Sequence, residues 1–366
     1  MPQNGHHTSR PKAIVHGTGT VNPERWMYQK DILELILNHD GFHTVQSKTK
    51  KRNDFLKAVF TRSMIEKRHI ACPKYLIGGD DIGFVMKQVG EIGLPLTVEA
   101  SKRAMKEAVV EAHDIKKLIF VTSTGLIAPG IDSMLVEQLG LARDTPRANL
   151  TFMGCAAAIT ALTTAKDFCI ANPEENCLVV CLELFTFHTG HDEGNDMAIY
   201  MALFGDGCVA MVLSGEYENN AKDKWAIEGN YSYMIPDSAN AITMNLMDKG
   251  LTGTLDVEVP KVIQKNIKAF MEGYNSKFGI NDPDHWCVHP GGQAVLRAVQ
   301  AALCITDEKL EHSWEVLKQF GNMSSATVCF VLDRMRKLKE TKKDETMIMI
   351  AFGPGVWIES LFLVKQ

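Results

Sequence analysis

Short continuous apolar runs alternate along the chain with longer stretches in which apolar residues recur every three or four positions. The runs at 13–17, 118–122, 177–184 and 208–213 predict buried strands, as do 225–233 and 286–289. Helical spacing covers 31–37, the Ala-rich stretch 155–170 and 293–303. It is clearest over 259–278, where Val259, Val262, Ile263, Ile267, Phe270, Met271, Tyr274 and Phe278 form one stripe. At 97–113 good helix formers follow Thr97, which reads as an N-cap. The runs 346–352 and 356–364 flank Gly353-Pro354-Gly355 and predict a hairpin. Gly17-Thr18-Gly19 reads as the end of the first strand. It lacks the third Gly and the ribose-binding acid of a dinucleotide loop. The charged segment 40–57 has no periodicity and predicts a surface loop or an irregular helical piece.

Strands alternating with helices imply an α/β protein whose sheet is layered by helices. The chain turns polar over 214–224, with Gly215, Asn219 and Asn220, and this places a boundary near residue 220. The expected organisation is a loose tail over 1–12, one half over 13–220 and a second half of similar style over 221–366. Residue similarity between the halves is too weak to establish a repeat.

A length of 366 residues suits two domains at roughly 150 residues each. With 45% hydrophobic and 23% charged residues, disorder, collagen and coiled coil are excluded. A net charge of −5 argues against binding nucleic acid, although the basic stretch 62–68 offers a local place for a ligand's phosphates. No apolar run reaches the roughly 18 residues of a membrane span, and the polar start lacks a secretory signal. Nine dispersed Cys fit reduced thiols, so a cytoplasmic enzyme is expected. Cys177 and Cys181, at even separation in one strand, should share a buried face.

The first candidate for chemistry is Cys155, which follows a turn ending in Gly154 and opens an Ala-rich helix. Free N–H groups and the positive end of a helix favour thiolate over thiol there, which makes a nucleophile. The bland alternative is a structural Cys among small residues. His289 ends an apolar strand before Pro290-Gly291-Gly292, and Asn322 sits on a Gly-flanked turn before a helix. An imidazole can pair with a thiolate, and with a carboxamide it can hold a carbonyl oxygen that becomes anionic. Taken singly, a strand-end His and a turn Asn are ordinary. His188, His191 and Asp192 resemble a metal cluster but lack further ligands at zinc spacing, so no metal site is expected.

These segments carry a resemblance. GCAAAITAL around Cys155, ALFGDGC at 202–208, VHPGGQAVL at 288–296, GNMSSAT at 321–327 and AFGPGVWIE at 351–359 are similar to the type III polyketide synthases of the chalcone and stilbene synthase family. The resemblance implies a thiolase-like fold of five αβαβα layers in two duplicated halves, a homodimer, and acyl-CoA and malonyl-CoA as substrates with no resident cofactor. It implies Cys155 as the nucleophile, with His289 and Asn322 forming the oxyanion hole for decarboxylation, and Phe204 as the gatekeeping aromatic. Lys57 and Arg62 stand where the family binds CoA phosphates, although Phe55 and Ala58 replace residues often basic there. Gly253 and Ala128 are small where plant members carry a Phe and a Met, Met244 replaces a Gly, and Phe185 and His188 occupy a cavity-lining segment. This redistribution of volume leads to the expectation of an aliphatic starter and a resorcinol, resorcylate or pyrone product. Competing readings are a priming ketoacyl synthase that condenses once, a papain-like cysteine hydrolase and a catalytically silent scaffold.

Overall fold

The computed structural model describes residues 10–38, 50–76, 81–188, 194–217, 224–248 and 250–366. The first half contains β1 (Lys12–Val21), β2 (Trp26–Tyr28), α1 (Gln29–Asn38), α2 (Lys50–Arg62), β3 (Lys67–His69) and the long α3 (Ile82–Ala108). It continues with β4 (Ile115–Thr122), α4 (Ile131–Leu139), β5 (Arg147–Thr151), α5 (Ala157–Ala171), β6 (Asn176–Leu184), α6 (Asn195–Leu203) and β7 (Asp206–Glu216). The second half contains β8 (Trp225–Met234), β9 (Asn245–Met247), β10 (Gly250–Thr252), α7 (Val259–Phe278), β11 (His285–Val288) and α8 (Gln293–Leu303). It ends with α9 (Glu311–Phe320), α10 (Ser325–Arg336), β12 (Thr346–Gly353) and β13 (Trp357–Lys365).

Nine strands join in the order β11-β12-β13-β8-β1-β7-β6-β4-β5, and β2–β3 and β9–β10 form two small sheets. In the first half β1, β7 and β6 pair antiparallel, then β6, β4 and β5 run parallel. The second half repeats this: β8, β13 and β12 are antiparallel and β12 runs parallel to β11. The order of elements also repeats, with α3 and α7 leading into β4 and β11, and α5 and α10 leading into β6 and β12. Duplication is therefore carried by topology. Only Ala13–Ile227 and Ile14–Ala226 pair β1 with β8 across the join.

Side-chain parity along the strands builds the layers. Ile119, Val121, Val179 and Cys181 face inward onto Ala157, Ala161 and Ala165 of α5 and Val328 and Leu332 of α10. α5 touches β1, β6 and β7 on one side and β12 and β13 on the other. Its alanines let both sheet halves approach, so it occupies a middle helical layer with α10. Leu118, Phe120, Leu178 and Val180 face the opposite way onto Val85, Val89, Ala100 and Ala104 of α3. In the second half Trp286, Val288, Ile348 and Ile350 meet α7 and α8. The result is the five-layer αβαβα arrangement, thiolase-like, with both of the expected core cysteines, Cys177 and Cys181, in its centre. Among the described residues no helix is long and apolar enough to cross a membrane. All nine cysteines are unpaired.

Several expectations need correction. β1 does not stop at Gly17 but continues to Val21, because Gly17 and Gly19 face α3 at a point where a Cβ would strike the carbonyl oxygens of Ala104 and Ala100. Thr97 is not an N-cap: α3 begins at Ile82, with Asp81 Oδ1 accepting from Gly83 N at 3.0 Å, and runs through Pro95. Thr97 lies buried mid-helix, its hydroxyl donating to Leu94 O at 2.7 Å. Burial of the flanking apolar stripe outweighs the proline's missing hydrogen bond. The described part of the segment 40–57 belongs to α2. Residues 1–9 of the expected tail, with His6 and His7, and the expected boundary near 220 lie outside the described residues, while Lys12 already begins β1.

The close approach of β1 to α3 makes a direct prediction. Gly19→Ala should lower unfolding free energy by about 2–3 kcal/mol in urea titration, since backbone atoms of α3 would have to move. A loss below about 0.5 kcal/mol would show that the helix is free to slide.

Candidate active site

The first residues of the two middle helices meet head to head. β5 ends at Thr151, the chain reverses through Phe152 and Gly154, both at positive φ, and Cys155 follows in a single 3₁₀ turn before α5. Asn322 precedes α10 in the corresponding place of the second half, and His289 follows β11. All three line one cavity of about 70 Å³, walled by Phe185, Tyr200, Phe204, Ile242, Met244 and Ile263.

Cys155 Sγ lies 3.8 Å from Asn322 Oδ1 and 3.9 Å from Nδ2. The carboxamide is oriented by its other partners: Oδ1 accepts from Ser324 N at 2.8 Å and Thr327 Oγ1 at 3.3 Å, and Nδ2 donates to Gly291 O at 3.1 Å. One N–H of Nδ2 is thereby left for the sulfur or for an oxygen brought to it. The His289 backbone is pinned by its N–H to Ile350 O at 2.8 Å. Its ring is 1% exposed, and neither ring nitrogen has a hydrogen-bond partner among the described residues. A buried imidazole left unpaired in a cavity wall is available to a ligand.

Burial dominates the electrostatics. It pushes the Cys155 thiol up to about 11, with Ser324 and Asn322 pulling it partly back and the charge of Glu183 adding to the rise. It pushes His289 down to about 3. Each group alone is thus held neutral, which departs from the lowered thiol expected from the helix start. A thiolate beside an imidazolium is the charged state in which each offsets the other's desolvation. Behind the cavity lies Glu183, fully buried and absent from the sequence reading. It accepts from Ser325 Oγ at 2.6 Å, Ser123 N at 3.0 Å and Thr124 Oγ1 at 3.1 Å, and burial raises it to about 7.

Phe204, Phe185 and Met244 line the cavity as expected. Phe204 stacks between Phe185, at 4.4 Å between ring centroids, and Tyr200, at 4.9 Å. Tyr200 was missed because YMALFG reads as one more helical turn; only the fold turns its ring inward. Burial and the neighbouring Cys155 raise its phenol well above the ordinary value.

The remaining expected cavity residues are placed elsewhere. Gly253 opens no volume, because a Cβ there would collide with Thr243 O and the missing side chain serves a close backbone approach. Ala128, which stands where plant members carry a Met that crosses to the partner subunit, is exposed and lies outside this chain's own cavity. His188 is buried with Nε2 2.9 Å from Thr124 O, and it too lies outside the cavity wall. His191 and Asp192 fall outside the described residues. Among the described residues no three His, Cys, Asp or Glu side chains are grouped to hold a metal.

A second, more open cavity of about 390 Å³ adjoins the first at Leu255, Val259, Gly291 and Val295. Phe55, Ala58, Val59 and Arg62 of α2 line it. Lys57 does not, since 100° per residue puts it on the opposite face of α2, where it is exposed. Arg68, at the end of the expected basic stretch, is fully buried rather than open to phosphates.

The chain matches two family models, "Chalcone and stilbene synthases, N-terminal domain" over residues 3–216 and "Chalcone and stilbene synthases, C-terminal domain" over 227–365. It is 31% identical to the alpha-pyrone synthesis polyketide synthase-like Pks18 of Mycobacterium tuberculosis, over 95% of this chain and 90% of that protein. The crystal structure of PKS-I from the brown alga Ectocarpus siliculosus superposes with a TM-score of 0.91 at 30% identity, covering 98% of this chain and 100% of that one. The C-terminal type III polyketide synthase domain of Steely1, a type I/III hybrid from Dictyostelium, gives 0.86 at 29% identity, covering 97% and 99%.

Proton transfer from the Cys155 thiol to the His289 imidazole across this cavity is tested by alkylating Cys155 with iodoacetamide across pH. The native protein should react at neutral pH, its imidazole taking the thiol's proton. His289→Gln removes the group that would take the proton, and half-maximal reactivity should move upward, the direction in which burial pushes this thiol. Overlapping profiles for the two proteins would contradict the pairing.

Proposed function

Because the chain belongs to the chalcone and stilbene synthase family, and so to the type III polyketide synthases, we propose that it loads an aliphatic acyl group on Cys155 and extends it with malonyl-CoA. The observation that carries this reading is the convergence of Cys155, His289 and Asn322 on one small, apolar cavity. In the first step Cys155 Sγ attacks the starter thioester carbonyl, the C–S bond to CoA breaks, and the CoA thiolate takes a proton from the His289 imidazolium. In the second, malonyl-CoA loses its carboxylate as CO₂, and the electron pair left behind forms an enolate. Its oxygen is held by Asn322 Nδ2–H and an N–H of His289 in a place that excludes water. The enolate carbon then attacks the Cys155 thioester, forming the C–C bond and releasing the thiolate. CoA thioesters enter as substrates, and the scheme calls for no resident cofactor.

The aliphatic starter is favoured by Ile242, Met244, Leu255, Val259 and Ile263 in the wall, where a methionine can repack around a chain. A pyrone needs only an enol oxygen to attack the thioester, with no further base. A pyrone is therefore favoured over a resorcinol or resorcylate, in line with the alpha-pyrone name of Pks18. A homodimer belongs to the same reading: β5 is an edge of the large sheet with one side of its ladder unpaired, and Met153, beside the nucleophile, is 37% exposed. Cytoplasmic residence follows from nine unpaired thiols and is part of the proposal.

Mass spectrometry of products from a panel of acyl-CoAs with malonyl-CoA tests the reading. Each extended chain is left on CoA and returns to Cys155 for the next unit, so starter plus two or more decarboxylated units, cyclised with release of CoA, is expected, with aliphatic starters used better than aromatic ones. A single added unit would favour the ketoacyl synthase reading, and better use of coumaroyl-CoA would overturn the aliphatic starter.

A further inference from the structure

Arg68 is fully buried, and its side chain serves a segment of the active site that it does not itself line. Its Nη1 donates to Phe204 O, and its Nε donates to Gln29 Oε1 at 2.9 Å. Gln29 in turn donates through Nε2 to Ala202 O at 2.7 Å and to Ser63 Oγ at 3.1 Å. The same short stretch is bound from the other half of the molecule: Asn322 N donates to Leu203 O at 2.9 Å, and Gly205 N donates to Asn322 O at 2.9 Å. Successive backbone groups from 202 to 205 are thus held alternately by the Gln29–Arg68 pair and by the Asn322 backbone. The fully buried Asp206, next along the chain, is the acidic partner whose charge acts on the guanidinium. Gly321 leaves room for the Arg68 stem, since a Cβ there would come within 2.8 Å of Arg68 Cδ.

We infer that Arg68 and Gln29 are positioning residues for the decarboxylation step, fixing the Phe204 ring and, through the Leu203–Gly205 backbone, the Asn322 carboxamide that holds the enolate oxygen. The inference rests on the proposed use of Asn322 as an oxyanion donor. A buried cation is suited to this work because its planar fork fixes two acceptors in one geometry, which an ammonium does not. The backbone of Cys155 is carried by its own turn, which packs on β12 rather than on the 202–205 segment, so loading, although Sγ touches the Asn322 carboxamide, should be less sensitive to the clamp than decarboxylation.

Two rates separate positioning from mere stability: CO₂ release from malonyl-CoA alone, and alkylation of Cys155 by iodoacetamide. In Arg68→Met, kcat for decarboxylation should fall about 10- to 100-fold while KM and the alkylation rate stay within about threefold, as expected for a displaced donor. Arg68→Lys should recover part of the loss. Gln29→Met, which frees only Ala202 O, should give a smaller loss of the same kind and carries the test if Arg68→Met does not fold. Parallel loss of both rates, or unchanged decarboxylation in the folded variants, would overturn the inference. Absence of decarboxylation in the native protein would instead overturn the function proposed above.

Discussion

The backbone pairing of Asn322 with Leu203–Gly205 is the contact on which the site depends, because it ties the turn before α10 to the end of α6 in the other half. Without it Cys155 and Asn322, the proposed nucleophile and oxyanion donor, would be carried on independent bodies, and a hydrogen-bonding geometry good to a fraction of an ångström could not be kept. Duplication supplies the symmetry that makes the contact possible. α5 and α10 occupy equivalent places in the two halves, lie side by side in the middle layer, and point their first turns at the same space. One turn brings a thiol and the other a carboxamide, and the loop after β11 adds the imidazole.

The same layering explains the electrostatics. In a middle layer enclosed by two sheet halves, burial pushes the ionisable groups of the site toward neutrality: Cys155 and Glu183 upward, His289 downward. Such a chamber holds charge only where hydrogen-bond donors are already aimed, and that is the property a decarboxylation leaving an enolate requires. Walls of Phe185, Phe204 and Tyr200 keep water out but also keep the chamber small. Of the wall side chains, Met244 is the most easily repacked.

Strands of continuous apolar sequence, the α7 stripe and the β12–β13 hairpin were legible from periodicity alone, since burial on both faces or on one stripe leaves an unambiguous pattern. α3 was read too short because Pro95 mimics a helix start, and β1 too short because its glycines mark a helix crossing rather than a turn. That Cys155, His289 and Asn322 belong together was legible only through motifs, as these residues have no local feature that tells a site from an ordinary turn. Gly253 and His188 show where sequence fails: a missing side chain can mean close backbone contact rather than open space, and a histidine in a lining segment can be turned to a carbonyl behind it. Arg68, Gln29 and Tyr200 lie far from one another along the chain, and their roles emerge only from the tertiary contacts.

The central claim is that one sulfur among nine receives the acyl group. Five others, Cys169, Cys177, Cys181, Cys208 and Cys287, are buried with thiols pushed far upward, Cys329 is buried as well, Cys72 is half-buried and Cys304 is exposed away from the cavity. Peptide mass mapping after incubation with an aliphatic acyl-CoA, in the absence of malonyl-CoA, tests this most directly. The account predicts a single acyl adduct on the peptide containing Cys155, abolished in Cys155→Ala. An adduct that resides on Cys304 or Cys72, or that survives the substitution, would contradict it.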